Sequence, residues 1–261
     1  MNTNTRTVSP RRRGTALAFA AAVCGVTLLT GCDDGSAGTA APAGSASASG
    51  ATTTAPAAPD ASADKAFDPG KALASAAKKP YAANVMVTSE TRGMPSLTMS
   101  GRANLNGLFT GRMEMKSLGR TTEVVTTADT NYFRSIELAG AQWTTTPRTD
   151  NSGLASYEGY AKLLLDAGPS ARKGMEDQDG VATYHLSGRL SVAQIASVDP
   201  RTHASMKAKG VTGFDCDQWI DSQGRTLRFE QRFELRGVKA ANKATFSDFG
   251  PAEKFDAPTS G

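Results

Sequence analysis

The sequence predicts an α+β domain built on a strongly curved antiparallel sheet with a few helices. Three observations predict it. Short segments of period-two alternation, separated by turn signals, recur from Ala83 to Phe249. The pair Asn106-Gly107 stands between two such segments and reads as a hairpin turn. Helix signals are few: an Asp68-Pro69 start, a 3.6-residue apolar pattern over Leu154–Ala167, and two short stretches before the last strands.

Asp68 is placed to cap a helix with Pro69 at its first position, running over Lys71–Lys78 and stopped by Pro80. In the strand that follows, Ala83, Val85 and Val87 alternate with Asn84, Met86 and Thr88. Ser96–Asn104 and Leu108–Ser117 flank the Asn-Gly pair. A two-residue loop there sets Met99 opposite Glu114 and Leu97 opposite Lys116. A three-residue loop, Leu105–Gly107, pairs Leu97 with Met115, Met99 with Met113 and Ala103 with Phe109. The apolar match selects this second arrangement, because a one-residue slip turns every side chain to the other face. It puts Gly107 in the left-handed conformation and Gly101 opposite Gly111.

Further strands are predicted at Thr121–Thr127, Asn131–Ser135 and Gln142–Thr146. In the helix over Leu154–Ala167, one face carries Leu154, Tyr157, Ala161, Leu164 and Leu165. Lys173–Glu176 and Val181–Ser187 form a hairpin closed at Asp177–Gly180, and short helices fit Ser191–Ala196 and Pro200–Lys209. Strands at Val211–Asp221, Thr226–Arg236 and Lys243–Phe249 end the domain. In the second of these, Leu227, Phe229, Phe233 and Leu235 alternate with charged residues, so one face is buried and the other solvated.

This order of helix, meander, helical insert and final hairpins resembles the LolA/LolB-like fold, and within it the actinobacterial LppX/LprA/LprF/LprG lipoprotein group. The local resemblances are Asn131-Tyr132-Phe133-Arg134 followed by Trp143, and Gly174-Met175-Glu176 with Asp179-Gly180 leading to Tyr184-His185. Trp219-Ile220-Asp221 with Gly224, and Phe246-Ser247-Asp248-Phe249-Gly250, complete them. The resemblance covers Phe67 to Pro258. It implies a half-open β-barrel with helices packed on its concave face, and an acylated lipid or glycolipid held between sheet and helices.

The N-terminal region carries an address. Arg6 and Arg11–Arg13 precede an apolar run of about 14 residues from Ala16 to Leu29, then Leu29-Thr30-Gly31-Cys32. That run is shorter than the roughly 20 residues of a spanning helix. The ending resembles the bacterial lipobox, which implies cleavage after Gly31 and a diacylglyceryl thioether on Cys32. Residues 1–31 then form a lipoprotein signal peptide, 32–63 the lipidated cysteine and a linker, and 64–261 the folded domain. The arginine run leaves the export route open, since Gly14 and Thr15 fit a twin-arginine signal poorly. Between Asp33 and Asp60, 25 of 28 residues are Ala, Gly, Ser, Thr or Pro, a composition that buries no core and is expected to be disordered. The mature protein is expected at the outer face of the cytoplasmic membrane.

Processing also changes the charge. The formal +4 comes from 29 basic against 25 acidic residues, and losing the four signal arginines cancels it, which gives no support for nucleic-acid binding. Cys24 leaves with the signal and Cys32 is acylated, so Cys216 is expected as a buried, unpaired thiol.

Catalytic signatures are poor, and no enzyme, cofactor or metal is expected. Ser75–Lys78 and Ser170–Lys173 both fit Ser-x-x-Lys but lack the partner motifs of that chemistry. His185 and His203 have no nucleophile near them in sequence, and His185 fits a hydrogen-bonded structural role. Asp215, Asp217 and Asp221 alternate near a hairpin without the oxygen density a calcium cage requires, and read as a solvated strand face. The candidate ligand-lining residues are Val85, Val87, Leu97, Met99, Met113, Met115, Val124, Phe133, Trp143, Phe229 and Phe233. Their thioethers suit acyl chains of variable shape. Gly153, Gly159 and Gly168 are candidate hinge points for a helix that admits such a ligand. Periodicity does not separate a packed interior from a hollow one, so two readings stand: a lipid carrier, or a solid-core lipoprotein that binds a protein partner or senses a signal.

Overall fold

The computed structural model of the protein describes residues 67–76, 79–148 and 157–259. Gly31, Cys32, the signal segment and the linker lie outside the described residues. So do Lys78, Gly153 and Leu154 of the expected helices.

The first helix, α1 (Pro69–Ser75), starts as its sequence dictates. Asp68 Oδ1 accepts from the backbone N–H of Gly70 at 2.9 Å and of Lys71 at 3.1 Å, with Pro69 behind it. Six strands follow: β1 (Tyr81–Thr91), β2 (Leu97–Leu105), β3 (Thr110–Ser117), β4 (Arg120–Thr126), β5 (Thr130–Ser135) and β6 (Thr144–Pro147). Helix α2 (Tyr157–Asp166) leads through a short 3-10 turn to β7 (Arg172–Gln178) and β8 (Val181–Ser191). Helix α3 (Pro200–Ala208) begins at Asp199, whose carboxylate accepts from Thr202 N–H, and β9 (Gly213–Ile220), β10 (Thr226–Leu235) and β11 (Val238–Pro251) complete the chain.

All eleven strands form one antiparallel sheet in the order β6-β5-β4-β3-β2-β1-β11-β10-β9-β8-β7. Two meanders therefore meet where β1 pairs β11, and the sheet stays unclosed with β6 and β7 as its edges. Helix α2 carries the chain from one edge strand to the other. It buries Tyr160, Ala161 and Leu164 and packs on β8, α1 and β10, so the helical layer lies on the concave face of the curved sheet.

Three hairpins turn on a left-handed residue followed by glycine: Leu118-Gly119, Asp179-Gly180 and Arg236-Gly237. Each joins strands through two residues with positive φ, the geometry that matches the twist of the flanking strands.

The β2–β3 hairpin departs from its predicted register by two residues. Met99 faces Met115, Gly101 faces Met113 and Ala103 faces Gly111. Leu105 stays in β2, buried and paired with Tyr81 of β1. Asn106, not Gly107, takes the left-handed conformation at φ 58°, and its side-chain amide donates to the Lys79 carbonyl. The two glycines are thus diagonal rather than opposite. A Cβ on Gly101 would stand 2.2 Å from the Arg112 carbonyl oxygen, so this glycine serves close approach of the neighbouring strand, not of a ligand.

Candidate functional site

Because cross-strand partners share a face, the ladders show which predicted wall residues come together. Val85 faces Gly101 and Phe246, and Val87 faces Met99 and Ala244. Met113 faces Val124, which faces Phe133, and Ala244 and Ala240 face Phe229 and Phe233. With Leu97 opposite Ser89, ten of the eleven predicted wall residues lie on one continuous inner face, the face that carries α2. Val85, Val87, Met99, Met113, Val124, Phe229 and Phe233 are buried, while Leu97, Met115 and Phe133 are half-buried.

Trp143 is the exception. Its ring lies 4.5 Å from the guanidinium carbon of Arg134, which is ion-paired to Glu123 at 2.6 Å. Glu123 and Arg134 face each other on the side opposite Val124 and Phe133. Trp143 therefore belongs to the outer face, drawn there by a cation–π contact, and does not line the interior.

The inner face divides into two regions. Over β9–β11 it is packed by helix α2. Tyr157 meets Phe229 and Phe246 edge-on at 5.0 and 4.9 Å, and Tyr160 packs on Phe229 at 5.1 Å and on Phe214 at 6.3 Å. Burial pushes the Tyr160 hydroxyl far above the ordinary tyrosine range, and nearby Asp199, to which the hydroxyl donates a hydrogen bond at 3.1 Å, pushes it further. Over β2–β5 the wall is Met99, Met113, Met115, Val124 and Phe133. Gly159 lets α2 seat closely, since a Cβ there would meet Val198 Cγ1 at 2.3 Å. It is a packing glycine rather than a hinge. Of the two predicted hinges among the described residues, Gly168, at φ 102°, follows the end of α2 and precedes the 3-10 turn.

A groove of about 940 Å³ opens at the end of the sheet where the β1–β2 turn, the β10–β11 hairpin and the segment before β9 converge. Phe233, Ala240 and Thr91 bring the inner face to it, and its remaining lining mixes basic groups, Arg92 and Lys239 among them, with the carboxylates of Glu90, Asp215 and Glu234. Of the predicted wall residues, Phe233 lines this groove. The sequence did not signal it, because its walls come from segments far apart in the chain.

The inner face is not wholly apolar. Cys216, Gln231, Asn242 and Ser89 face one another across β9, β10, β11 and β1. Cys216 is fully buried and unpaired as predicted, and burial raises its thiol well above the usual range. Asn242 Nδ2 donates to Gln231 Oε1 at 3.1 Å, whereas the buried Asn242 Oδ1 has no hydrogen-bond partner. On the neighbouring level, fully buried Gln218 donates from Nε2 to the Tyr157 carbonyl and to Thr226 Oγ1, both at 2.7 Å. Its Oε1 is likewise without a partner.

On the outer face His185 stacks on Trp219 at 4.2 Å, with Nδ1 2.7 Å from Glu176 and Nε2 3.0 Å from Asp217. Trp219 Nε1 donates to Glu176 at 2.6 Å, and Arg228 covers the other side of the indole at 4.6 Å. Burial alone would raise the Asp217 carboxyl, but hydrogen bonds from His185, Ser187 and Arg232 outweigh it and hold the group well below the carboxylate range. The expected structural role of His185 is thus what its partners show. The aspartates differ from the solvated face predicted for them: Asp217 is buried against Arg232, and Asp221 is buried in the β9–β10 turn against Arg225. Only Asp215, paired with Arg189, stays exposed. In the second Ser-x-x-Lys segment Lys173 donates to the Ser170 carbonyl at 2.9 Å, and His203 lies in α3. Among the described residues no helix is long and apolar enough to cross a membrane.

No family model matches the chain. It is 28% identical over 135 residues to an uncharacterised 31.2 kDa Streptomyces griseus protein encoded in the rplA–rplJ intergenic region; the match spans 48% of this chain and 44% of that protein. Among solved structures, the LolA superfamily protein NE2245 of Nitrosomonas europaea is similar at TM-score 0.27 and 10% identity, over 72% of this chain and 94% of that one. Lipoprotein LppX of Mycobacterium tuberculosis is similar at TM-score 0.41 and 14% identity, over 72% of this chain and 99% of that one. LprF of Mycobacterium bovis is similar at TM-score 0.46 and 16% identity, over 73% of this chain and 96% of that one. The chain is similar in these terms to the mycobacterial lipoproteins LprF and LppX, and its own architecture is an unclosed antiparallel sheet with helices.

Proposed function

We propose that the protein is a lipid-anchored, non-enzymatic carrier that holds the acyl chains of an envelope lipid or glycolipid against the inner face of its sheet. The observation that carries this reading is the largely apolar inner face over β1–β5, rich in methionine, beside the region that α2 packs. Methionine adapts to chains of different shape, and apolar burial supplies about 25 cal/mol per Å² before the costs of binding. Helix α2, bounded by Gly168, is the element whose movement admits the ligand. Native mass spectrometry of the protein purified from its own host tests the reading. A bound lipid is expected; its repeated absence overturns the carrier.

The tether belongs to the same proposal. Cys32 carries the diacylglyceryl anchor, two acyl chains hold far better than one, and the small-residue linker spaces residues 64–261 from the outer face of the membrane. Cys32→Ser is expected to move the protein from the membrane fraction to the soluble fraction, and retention in the membrane overturns the anchor.

A second reading, a partner-binding lipoprotein with a filled interior, is favoured by one observation. Leu118, Ile136 and Leu138, at the neighbouring β3–β4 and β5–β6 turns, are 74%, 51% and 66% exposed. Host-purified protein that carries no lipid but retains a polypeptide, lost on Leu118→Ser with Leu138→Ser, would establish it.

A further inference from the structure

On the inner face a row of four polar side chains runs between two levels that are apolar except for Thr91 and Gln218 at their ends. On one side stand Thr91, Ala240 and Phe233, which face one another and line the groove. On the other stand Val87, Ala244 and Phe229. Between them run Ser89, Asn242, Gln231 and Cys216, one from each of four adjacent strands. Strand residues two apart are separated by about 6.8 Å, so this row is one step inward from the groove's inner edge.

The row is incompletely satisfied. Gln231 is 4% exposed and accepts from Asn242, yet the buried Asn242 Oδ1 accepts nothing. Gln218, two residues along β9 from Cys216, presents a second orphan. Because its Nε2 donates to the Tyr157 carbonyl, an acceptor only, the free Gln218 atom is the carboxamide oxygen. Buried carboxamide oxygens without donors are costly, and sheets seldom keep them without use. Both orphans are acceptors, but they lie on different levels and on strands separated by β10, so a single donor group completes one of them, and the row offers Asn242 Oδ1. Hydrocarbon has no donor, and an ester linkage offers only acceptors.

We propose that the Ser89–Asn242–Gln231 row is a specificity site that takes a hydroxyl group on the chain of the bound lipid. The site rests on the carrier reading and sharpens it: the cargo is a hydroxylated acyl lipid, with the hydroxyl delivered one level inside the groove. The hydroxyl donates to Asn242 Oδ1 and accepts from the row in return. Val87, Ala244 and Phe229 on one side and Ala240 and Phe233 on the other offer no partner to polar groups elsewhere along the chain.

The test uses the delipidated protein with stearate and with hydroxystearates bearing the hydroxyl near the carboxyl end, at mid-chain or near the methyl end, measured by calorimetry. At least one hydroxystearate is expected to bind about tenfold tighter than stearate, the scale of completing a buried hydrogen bond. Asn242→Leu is expected to reduce that isomer's affinity to the level of stearate while stearate itself binds unchanged or tighter. Equal affinity of wild type for stearate and every isomer overturns the site while leaving the carrier reading intact. A preference that survives in both Asn242→Leu and Gln231→Leu also overturns it. Binding of none of these chains overturns the carrier reading and this site together. The wild-type comparison decides even where a variant fails to fold.

Discussion

The outer-face cluster shows how a single carboxylate can fasten three strands. Asp217 of β9 reaches His185 of β8 and Arg232 of β10, and its carboxyl is held well below the ordinary range although burial acts the other way. Glu176 of β7 behaves likewise: burial raises it, but the Trp219 and His185 hydrogen bonds and the Arg228 charge outweigh burial. A folded-state pKa below the unfolded one means that the folded form binds fewer protons as pH falls. The stabilisation is therefore complete above the ordinary carboxylate range, near pH 4, and is lost as pH drops through it toward the folded value. Asp217→Asn removes a charge-assisted contact and is expected to lower stability at neutral pH by about 2 kcal/mol. It should also flatten the fall in stability below about pH 4. Urea denaturation across the acid range measures both; a variant with an unchanged acid slope would show that Asp217 is not the titrating fastener.

At the scale of elements, periodicity read faces better than partners. In the β2–β3 hairpin the inward parity of Met99, Met113 and Met115 was legible, because a one-residue slip would bury Glu114. A two-residue slip leaves that parity unchanged, since Met99 is matched as well by Met115 as by Met113. What decided was non-local: Leu105 pairs with Tyr81 of β1, and the Asn106 amide reaches Lys79. Trp143 was misplaced for a related reason, since it precedes β6 and its position answers to Arg134 rather than to alternation. The polar row escaped notice because Ser89, Asn242 and Gln231 become neighbours only when β1, β11 and β10 are in register. The β9–β10 turn shows the same dependence on a distant contact. Gly224 has φ 74°, and a Cβ there would lie 2.5 Å from the Ala72 carbonyl oxygen of α1. Asp221 Oδ1 meanwhile accepts from Gln223 and Arg225 N–H at 2.9 Å, which fixes the turn. Gly224→Ala is expected to cost about 1–3 kcal/mol and to displace α1. Hydrogen exchange should show α1 amides losing protection while β2 and β3 amides keep theirs; uniform loss would deny the local contact.

Across the whole molecule, the junction of β1 with β11 decides whether the sheet acts as one body or two. Each meander is sequentially local, but the seam joins residues on either side of α2 and of most of the chain, as where Val85 meets Phe246. Such a pairing closes only after a long loop has been drawn in, so folding is expected to be slow for the domain's size. The same seam is the centre of the core. Phe246 is buried opposite Val85 and is met edge-on by Tyr157 of α2 at 4.9 Å, so sheet halves and helix share one contact. Coupling of this kind makes the sheet a rigid frame, so under the proposed carrier reading the movement that admits a ligand belongs to α2 rather than to parting of the strands. Phe246→Ala tests the coupling. Truncating a buried phenylalanine costs about 3–5 kcal/mol. If the halves are coupled, calorimetry shows one transition, shifted down as a unit. Two separated transitions, one of them unmoved, would mean that the meanders unfold independently and that the seam itself is free to open for cargo.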